Sequence, residues 1–176
     1  LKRLENGALI YAAHATTGAI CLLLDAIPQG YCAPCLAQPL HATGLLDRRP
    51  YHRLLAVLQM VVDVVDPRGF GPHGAALMTG ARLRLMHQGV RGIIDKRLPD
   101  YRAQFGVPVN VEDKLATLMG FSLLVIDSLQ RLGTGLSDAD AEEVWFLWRT
   151  FGLASGIPDE DLPVDVTDAR AFFRRY

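Results

Sequence analysis

Apolar side chains recur at helical spacing along nearly the whole chain, and no stretch alternates between apolar and polar residues as a half-buried strand does. Glycine and proline residues interrupt this pattern at regular intervals. The pattern therefore predicts an all-α protein, a helical bundle of about seven helices. The predicted helices cover approximately residues 5–26, 33–46, 50–65, 74–97, 111–132, 138–155 and 165–175.

These helices are expected to share one core, because no linker, repeat or low-complexity tract separates them. Residues 1–176 are thus predicted to form a single domain, a size that is ordinary for one compact core. The sequence begins at Leu1 rather than at methionine and shows no leader pattern, so a mature, trimmed or excerpted segment of a longer chain is expected.

The predicted helix over 74–97 contains the most informative chemistry of the chain. Its inward face is predicted to consist of Leu83, Met86, Val90, Ile93 and Ile94, which lie three or four residues apart. His87 lies on this face, with Arg84 three residues before it and Arg91 four residues after it. The helix over 111–132 repeats the apolar spacing and is predicted to pack against this one.

Two interpretations of His87 follow from the residues alone. A buried imidazole usually forms a hydrogen bond with a backbone carbonyl or a hydroxyl inside the protein. Alternatively, a neutral imidazole can ligate haem iron while arginines pair with the haem propionates. The arginines that flank His87 suit the second interpretation, but they can equally form a solvated helix edge.

Charge and hydropathy exclude several classes of partner. Half of the residues are apolar, 21% are charged, and the net charge is −1 with a sequence pI near 6.6, so neither nucleic acid nor an anionic membrane surface is an expected partner. The most apolar stretch, residues 7–27, is interrupted by polar residues such as His14 and Asp25, so that no uninterrupted apolar run reaches the roughly 18 residues expected of a membrane span.

Cysteine usage is sparse and does not describe a disulfide framework, because the chain holds three cysteines. Cys32 and Cys35 form a Cys-x-x-Cys pair, and His41 follows six residues later, but a closed zinc site needs four donors. The reduced character of these cysteines favours the cytoplasm, although a targeting signal upstream would change the compartment.

Four sequence blocks, in their order and spacing, carry a resemblance to a known family. They are Ala42-Thr43-Gly44, Arg82-Leu-Arg-Leu-Met-His-Gln-Gly-Val-Arg91, Val109-Asn-Val-Glu-Asp-Lys-Leu-Ala-Thr117 leading into Phe121-Ser122, and Gly152-Leu-Ala-Ser-Gly-Ile-Pro-Asp159. Over about residues 36–172 the chain resembles the latex clearing protein and MpaB-type oxygenase family, of which it looks like a divergent or shortened member.

The resemblance implies an all-α fold with a globin-like core that binds haem b. It implies His87 as the proximal ligand of the iron, and Arg84 and Arg91 as cofactor-binding residues that neutralise the propionates or brace the helix. Members of the family that cleave polyisoprene use dioxygen at the open face of the iron. The implied partners are therefore haem, dioxygen and a hydrophobic small molecule or polymer.

On the distal side of the haem the chain departs from the family pattern. Arg53 matches the distal arginine and is the candidate catalytic residue, but Ala56 and Val57 occupy the positions of the family's lysine and threonine. The stretch 31–46 contains no counterpart of the family's catalytic carboxylate. Residues 54–58 are expected to line the distal side with methyl groups, so that Arg53 is the polar group there.

The resemblance implies a haem b-dependent oxygenase-like protein, an oxidoreductase that acts with dioxygen on an alkene, isoprenoid or lipid-like substrate. The missing distal groups keep open an alternative, a non-catalytic helical module that binds haem or another apolar ligand. A third possibility is a helical protein without haem in which His87 is structural.

Overall fold

The computed structural model describes residues 1–44, 48 and 50–175, and its described residues form helices and connecting turns without any strand. The helices of the first half are α1 (Lys2–Ala13), α2 (Ala15–Cys21), α3 (Ile27–Tyr31), α4 (Pro34–Thr43), α5 (Pro50–Val65) and α6 (Ala75–Arg97). Those of the second half are α7 (Tyr101–Phe105), α8 (Val111–Phe121), α9 (Leu123–Arg131), α10 (Asp138–Ala154) and α11 (Val166–Phe173). The all-α prediction is confirmed.

Two predicted helices are broken where the apolar pattern gives no signal. The first turns at His14 between α1 and α2 and then passes through a π-helical turn, Leu22–Ala26, before α3. The helix predicted over 111–132 breaks at Ser122, whose hydroxyl donates to the carbonyl of Leu118 at 2.7 Å. Serine side chains that bond to their own backbone compete with the regular helix. Part of the predicted segment 33–46 lies outside the described residues.

The core is organised around α10. Trp145 and Trp148 of this helix are almost completely buried, and the ring of Trp148 stacks on Phe121 with centroids 5.8 Å apart and an interplanar angle of 17°. Tyr11 of α1 also contacts Trp148, with ring centroids 5.8 Å apart. Large aromatic side chains contribute most to burial in such cores, so α10 is the element against which the others pack.

Close helix contacts onto α10 depend on glycine. A Cβ atom on Gly7 of α1 would lie 2.4 Å from the carbonyl oxygen of Glu143, and one on Gly80 of α6 would lie 2.9 Å from the Ala154 backbone. The N-terminus of α10 is capped, because Ser137 forms a capping box with Asp140. These contacts fix the position of α6, which carries His87.

The sequence predicts no membrane span, and the structure allows this expectation to be compared with the helices of the described residues. No single helix there has the length and apolar character needed to cross a bilayer. The pair formed by Lys2–Ala13 and Ala15–Tyr31, which is bent by 76°, passes the same test of length and composition when its parts are taken together.

Candidate functional site

His87 lies on the strip of α6 that faces the protein interior. At seven residues to either side, Gly80 and Ile94 are buried on the same strip, as expected for a period of 3.6 residues per turn. The predicted inward face is wrong at its edge, because Met86 and Ile93 are exposed to 40% and 38%. Both lie about 100° or more around the helix from His87 and thus to the side of the packed strip.

The imidazole of His87 is partly buried and uncharged at neutral pH. Burial lowers its pKa to about 4, and the positive charges of Lys114, Arg91 and Arg53 act in the same direction. Its Nδ1 atom is buried and has no hydrogen-bond partner among the described residues. The described residues therefore do not offer Nδ1 the carbonyl or hydroxyl that a structural histidine would normally contact.

Arg91 connects α6 to the loop before α8. Its Nε and Nη2 donate to the carbonyl oxygens of Pro108 at 3.0 Å and Val109 at 2.8 Å, and its Nη1 donates to Gln88 at 3.1 Å. Val109 has a φ of 51°, which is strained for a β-branched residue and orients the carbonyl that Arg91 contacts. Of the two roles expected of Arg91, these contacts correspond to bracing the helix.

Gly156, at the turn after α10, contacts two cationic side chains, Arg84 and Lys114. A Cβ atom on Gly156 would lie 3.1 Å from Arg84 Nε and 3.3 Å from Arg84 Cγ, so the arginine stem lies against the bare backbone. The carbonyl oxygen of the same glycine accepts a hydrogen bond from Lys114 Nζ at 2.6 Å. The Gly-Ile-Pro-Asp block thus holds Arg84 of α6 and Lys114 of α8 side by side.

Lys114 is the residue of this cluster that the sequence did not reveal. Burial lowers its pKa, with Arg91 and Arg84 contributing repulsion, whereas Asp161 favours the charged form. A signal was present in the sequence, since this is the one lysine of an otherwise acidic and apolar helix, but it does not say where the side chain reaches. The charges of Lys114, Arg91 and Arg53 thus act on His87, and Arg84 joins this cluster through its position beside Lys114.

The expected packing of the 74–97 helix against the 111–132 helix is wrong for the described residues. The principal helix contacts of α6 are with α4, α5 and α10. Instead, Arg91 of α6 lies near Lys114 of α8. Because both side chains are positively charged, they repel each other and do not form an apolar interface.

A largely apolar cavity of about 480 Å³ lies beside this cluster. Its wall combines the N-terminal segments with α5, α8 and Phe173 of α11. Arg53 is on the wall, and its charge also acts on His87, which does not itself line the cavity. The apolar lining includes Leu22, Leu23, Ile27, Leu36, Leu40, Leu54, Val57, Ala116, Phe121 and Leu124.

The expectation that residues 54–58 line the distal side together holds for only part of this stretch. Leu54 and Val57 face the cavity beside Arg53, but Leu55 is 46% exposed and Ala56 is also exposed. One side of a helix cannot present five consecutive residues, since successive side chains are 100° apart. The wall of α5 therefore presents methyl groups and a single cation.

Two other family positions have structural roles. Asn110 caps α8 through a capping box with Asp113, and the hydroxyl of Thr117 donates to the Asp113 carbonyl at 2.8 Å while facing the cavity.

Cys32 lies on the cavity wall and Cys35 near the start of α4. Within the described part of the chain, no three His, Cys, Asp or Glu side chains come together as metal donors.

Comparison with known proteins agrees with this geometry. Residues 12–176 match the family model described as ER-bound oxygenase mpaB/B'/Rubber oxygenase, catalytic domain, and the chain belongs to this family. It is similar to the rubber oxygenase of Streptomyces sp. (strain K30), with 24% identity over 122 residues that cover 68% of this chain and 30% of the relative.

The same fold occurs in a solved structure. A latex clearing protein described in its closed state superposes with a TM-score of 0.81 and 20% identity, and the match covers 98% of this chain and 47% of that one. The chain thus spans less than half the length of the relatives that it matches. The likeness to the solved structure confirms the helical fold.

Proposed function

We propose that this chain is a haem b-dependent oxygenase domain that acts with dioxygen on an apolar substrate such as an alkene, an isoprenoid or a lipid-like molecule. The observation that carries the proposal is the state of His87, a neutral imidazole with a buried nitrogen that lacks a partner. An unsatisfied buried polar atom costs about 1–3 kcal/mol, which a bound group that engages the imidazole would offset.

The surrounding residues fit a haem. In this proposal His87 ligates the iron, Arg84 neutralises a propionate, and Arg91 braces α6 through its hydrogen bonds to Pro108 and Val109. Haem carboxylates require cations nearby; the charges of Lys114, Arg91 and Arg53 act on His87, and Arg84 lies beside Lys114, on which one carboxylate, Asp161, also acts.

Haem bound at His87 would supply the activation of dioxygen. The chain itself contributes the environment, because the apolar cavity takes up a hydrophobic substrate and excludes water from the reacting atoms. Arg53 is the candidate catalytic residue, since its guanidinium is the cationic donor on the cavity wall and can orient or polarise a bound oxygen atom.

The family supports the substrate class but not its identity. A relative is called a rubber oxygenase, and a polyisoprene is an apolar alkene of the kind that the cavity suits. Because the match covers 30% of that relative, the polymer itself is part of the proposal for this chain and not a property taken from the name.

One observation favours a second candidate function, a haem or apolar-ligand carrier without turnover. The cavity face of α5 presents Leu54 and Val57 beside Arg53, and Ala56 is directed outward. The distal lysine and threonine that the family resemblance implies thus have no polar counterpart on this helix, and distal polarity decides between binding and activation of dioxygen.

Haem binding is tested by the absorption spectrum of the chain purified from haem-replete cells. The wild-type chain should show a Soret band, His87→Ala should lose it, and added imidazole should restore part of it. His52→Ala is the matched control, since His52 is an exposed histidine on α5, and it should keep the band. A wild-type chain that stays colourless after reconstitution with haemin would show the proposal to be wrong.

Turnover is tested by oxygen consumption and product analysis with isoprenoids and unsaturated lipids. The oxygenase predicts carbonyl products and a lower rate in Arg53→Leu at unchanged haem content. A haem-loaded chain that consumes no oxygen with any of these substrates would identify the carrier instead.

A further inference from the structure

Gly156 contacts two cationic side chains, Arg84 and Lys114. The family resemblance predicts Arg84 as a cofactor-binding residue but does not predict Lys114. Arg84 was expected beside His87, but its neighbour in space is Lys114 of α8, whose ammonium is held on the Gly156 carbonyl at 2.6 Å. Arg91, the other arginine expected to bind the cofactor, uses Nε, Nη1 and Nη2 for protein partners.

Lys114, Arg84 and Arg91 therefore differ in the number of donors that have no partner among the described residues. An ammonium has three donors, and the Gly156 carbonyl is the one hydrogen-bond partner of Lys114 among the described residues. Arg84 is exposed and forms no hydrogen bond or ion pair with a described side chain, since its recorded neighbours are the backbone of Gly156 and the charge of Lys114. Two cations with free donors thus stand together near His87.

We propose that Lys114, together with Arg84, binds the two carboxylates of the ligand on His87, while Arg91 holds the helix and loop in place. This inference rests on the proposed binding of haem, which carries two carboxylates on one edge. Without an anion, Lys114 lies partly buried among like charges, an arrangement that a dianionic ligand edge would stabilise. Lys114 is a binding residue in this account and takes no part in the chemistry.

The backbone conformation of Gly156 and its lack of a side chain allow Arg84 and Lys114 to lie side by side. Its φ of 86° turns its carbonyl toward α8, and the missing Cβ leaves room for the Arg84 stem. One backbone unit thus contacts both cations, holding Lys114 by a hydrogen bond and leaving room for the stem of Arg84.

The test compares two probes, haemin and haemin dimethyl ester, in which both carboxylates are methylated. Each is titrated into the ligand-free chain and its dissociation constant is read from the Soret band. Lys114→Met should weaken haemin about tenfold, a typical loss for one charge-assisted hydrogen bond, and should leave the ester unchanged. Lys114→Arg should retain most of the haemin affinity, and Lys96→Met, at the exposed end of α6, should change neither probe.

The outcomes separate this inference from the proposed function. If Lys114→Met weakens both probes equally, or neither, the assignment of Lys114 is wrong while haem binding stands. If the wild-type chain binds neither probe, haem binding itself is wrong and the inference falls with it. Circular dichroism and the urea midpoint of each ligand-free variant establish that the comparison is between folded chains.

Discussion

Arg84 and Gly156 are in direct contact, because the arginine stem on α6 crosses the bare backbone of the glycine after α10. This contact joins two blocks of the family pattern that lie far apart in the sequence. It also explains why the Gly-Ile-Pro-Asp block, which carries no obvious chemistry, belongs to the neighbourhood of His87.

Gly156→Ala is expected to destabilise the ligand-free chain by about 1–2 kcal/mol, because a left-handed backbone disfavours a Cβ atom. The Cβ would also displace Arg84, so haemin affinity should fall with stability. Urea denaturation measures the first effect. Gly89→Ala is the control, since Gly89 is an exposed position of α6 with open space around it, and this substitution should stabilise the chain by about 0.5–1 kcal/mol.

Arg91→Met should lower the free energy of unfolding by about 1–3 kcal/mol, because the carbonyls of Pro108 and Val109 would lose their donor. Arg82→Met removes a cation from the exposed side of the same helix and should change stability by less than about 0.5 kcal/mol. Equal urea midpoints for these two variants would contradict the bracing role of Arg91.

The ligand-free chain should lose stability as the pH falls from about 6.5 toward 4. Burial depresses the pKa of His87 to about 4, so in this interval the unfolded chain binds a proton that the folded chain does not, and stability rises with pH. Because the side chain is partly solvated, the effect is expected to reach about 2 kcal/mol rather than the full value of the shift.

The measurement is the difference in unfolding free energy between the wild type and His87→Phe at a series of pH values. Phenylalanine fills a similar volume and does not titrate, so the two curves should diverge below pH 6.5. Parallel curves across this range would mean that His87 is solvated in the folded chain.

The helical period of the apolar residues predicted the fold well. Apolar residues at this spacing mark the buried face of each helix, and the helices of this bundle pack through those faces. It placed α5, α6 and α10 nearly to the residue and His87 on the inner strip. It could not reveal the breaks at His14 and Ser122, which contain no proline or glycine, and the second of these accompanies a local serine hydrogen bond.

The site was predicted in part. Arg84 and Arg91 share a helix with His87, so their proximity follows from spacing alone. Lys114 reaches the cluster through a carbonyl 42 residues further along the chain, and no local pattern encodes such a contact. Only the α5 part of the cavity wall was expected; the other lining residues were missed for the same reason, since they come from separate helices.

That assembly has a consequence for how the protein matures. The wall combines Leu22 and Ile27 with Phe173 of α11, so the cavity forms only when segments far apart in the sequence have packed together. Contacts of such long sequence separation form late in folding. An apolar guest therefore has no complete site until α11 has been synthesised and has packed against the earlier helices.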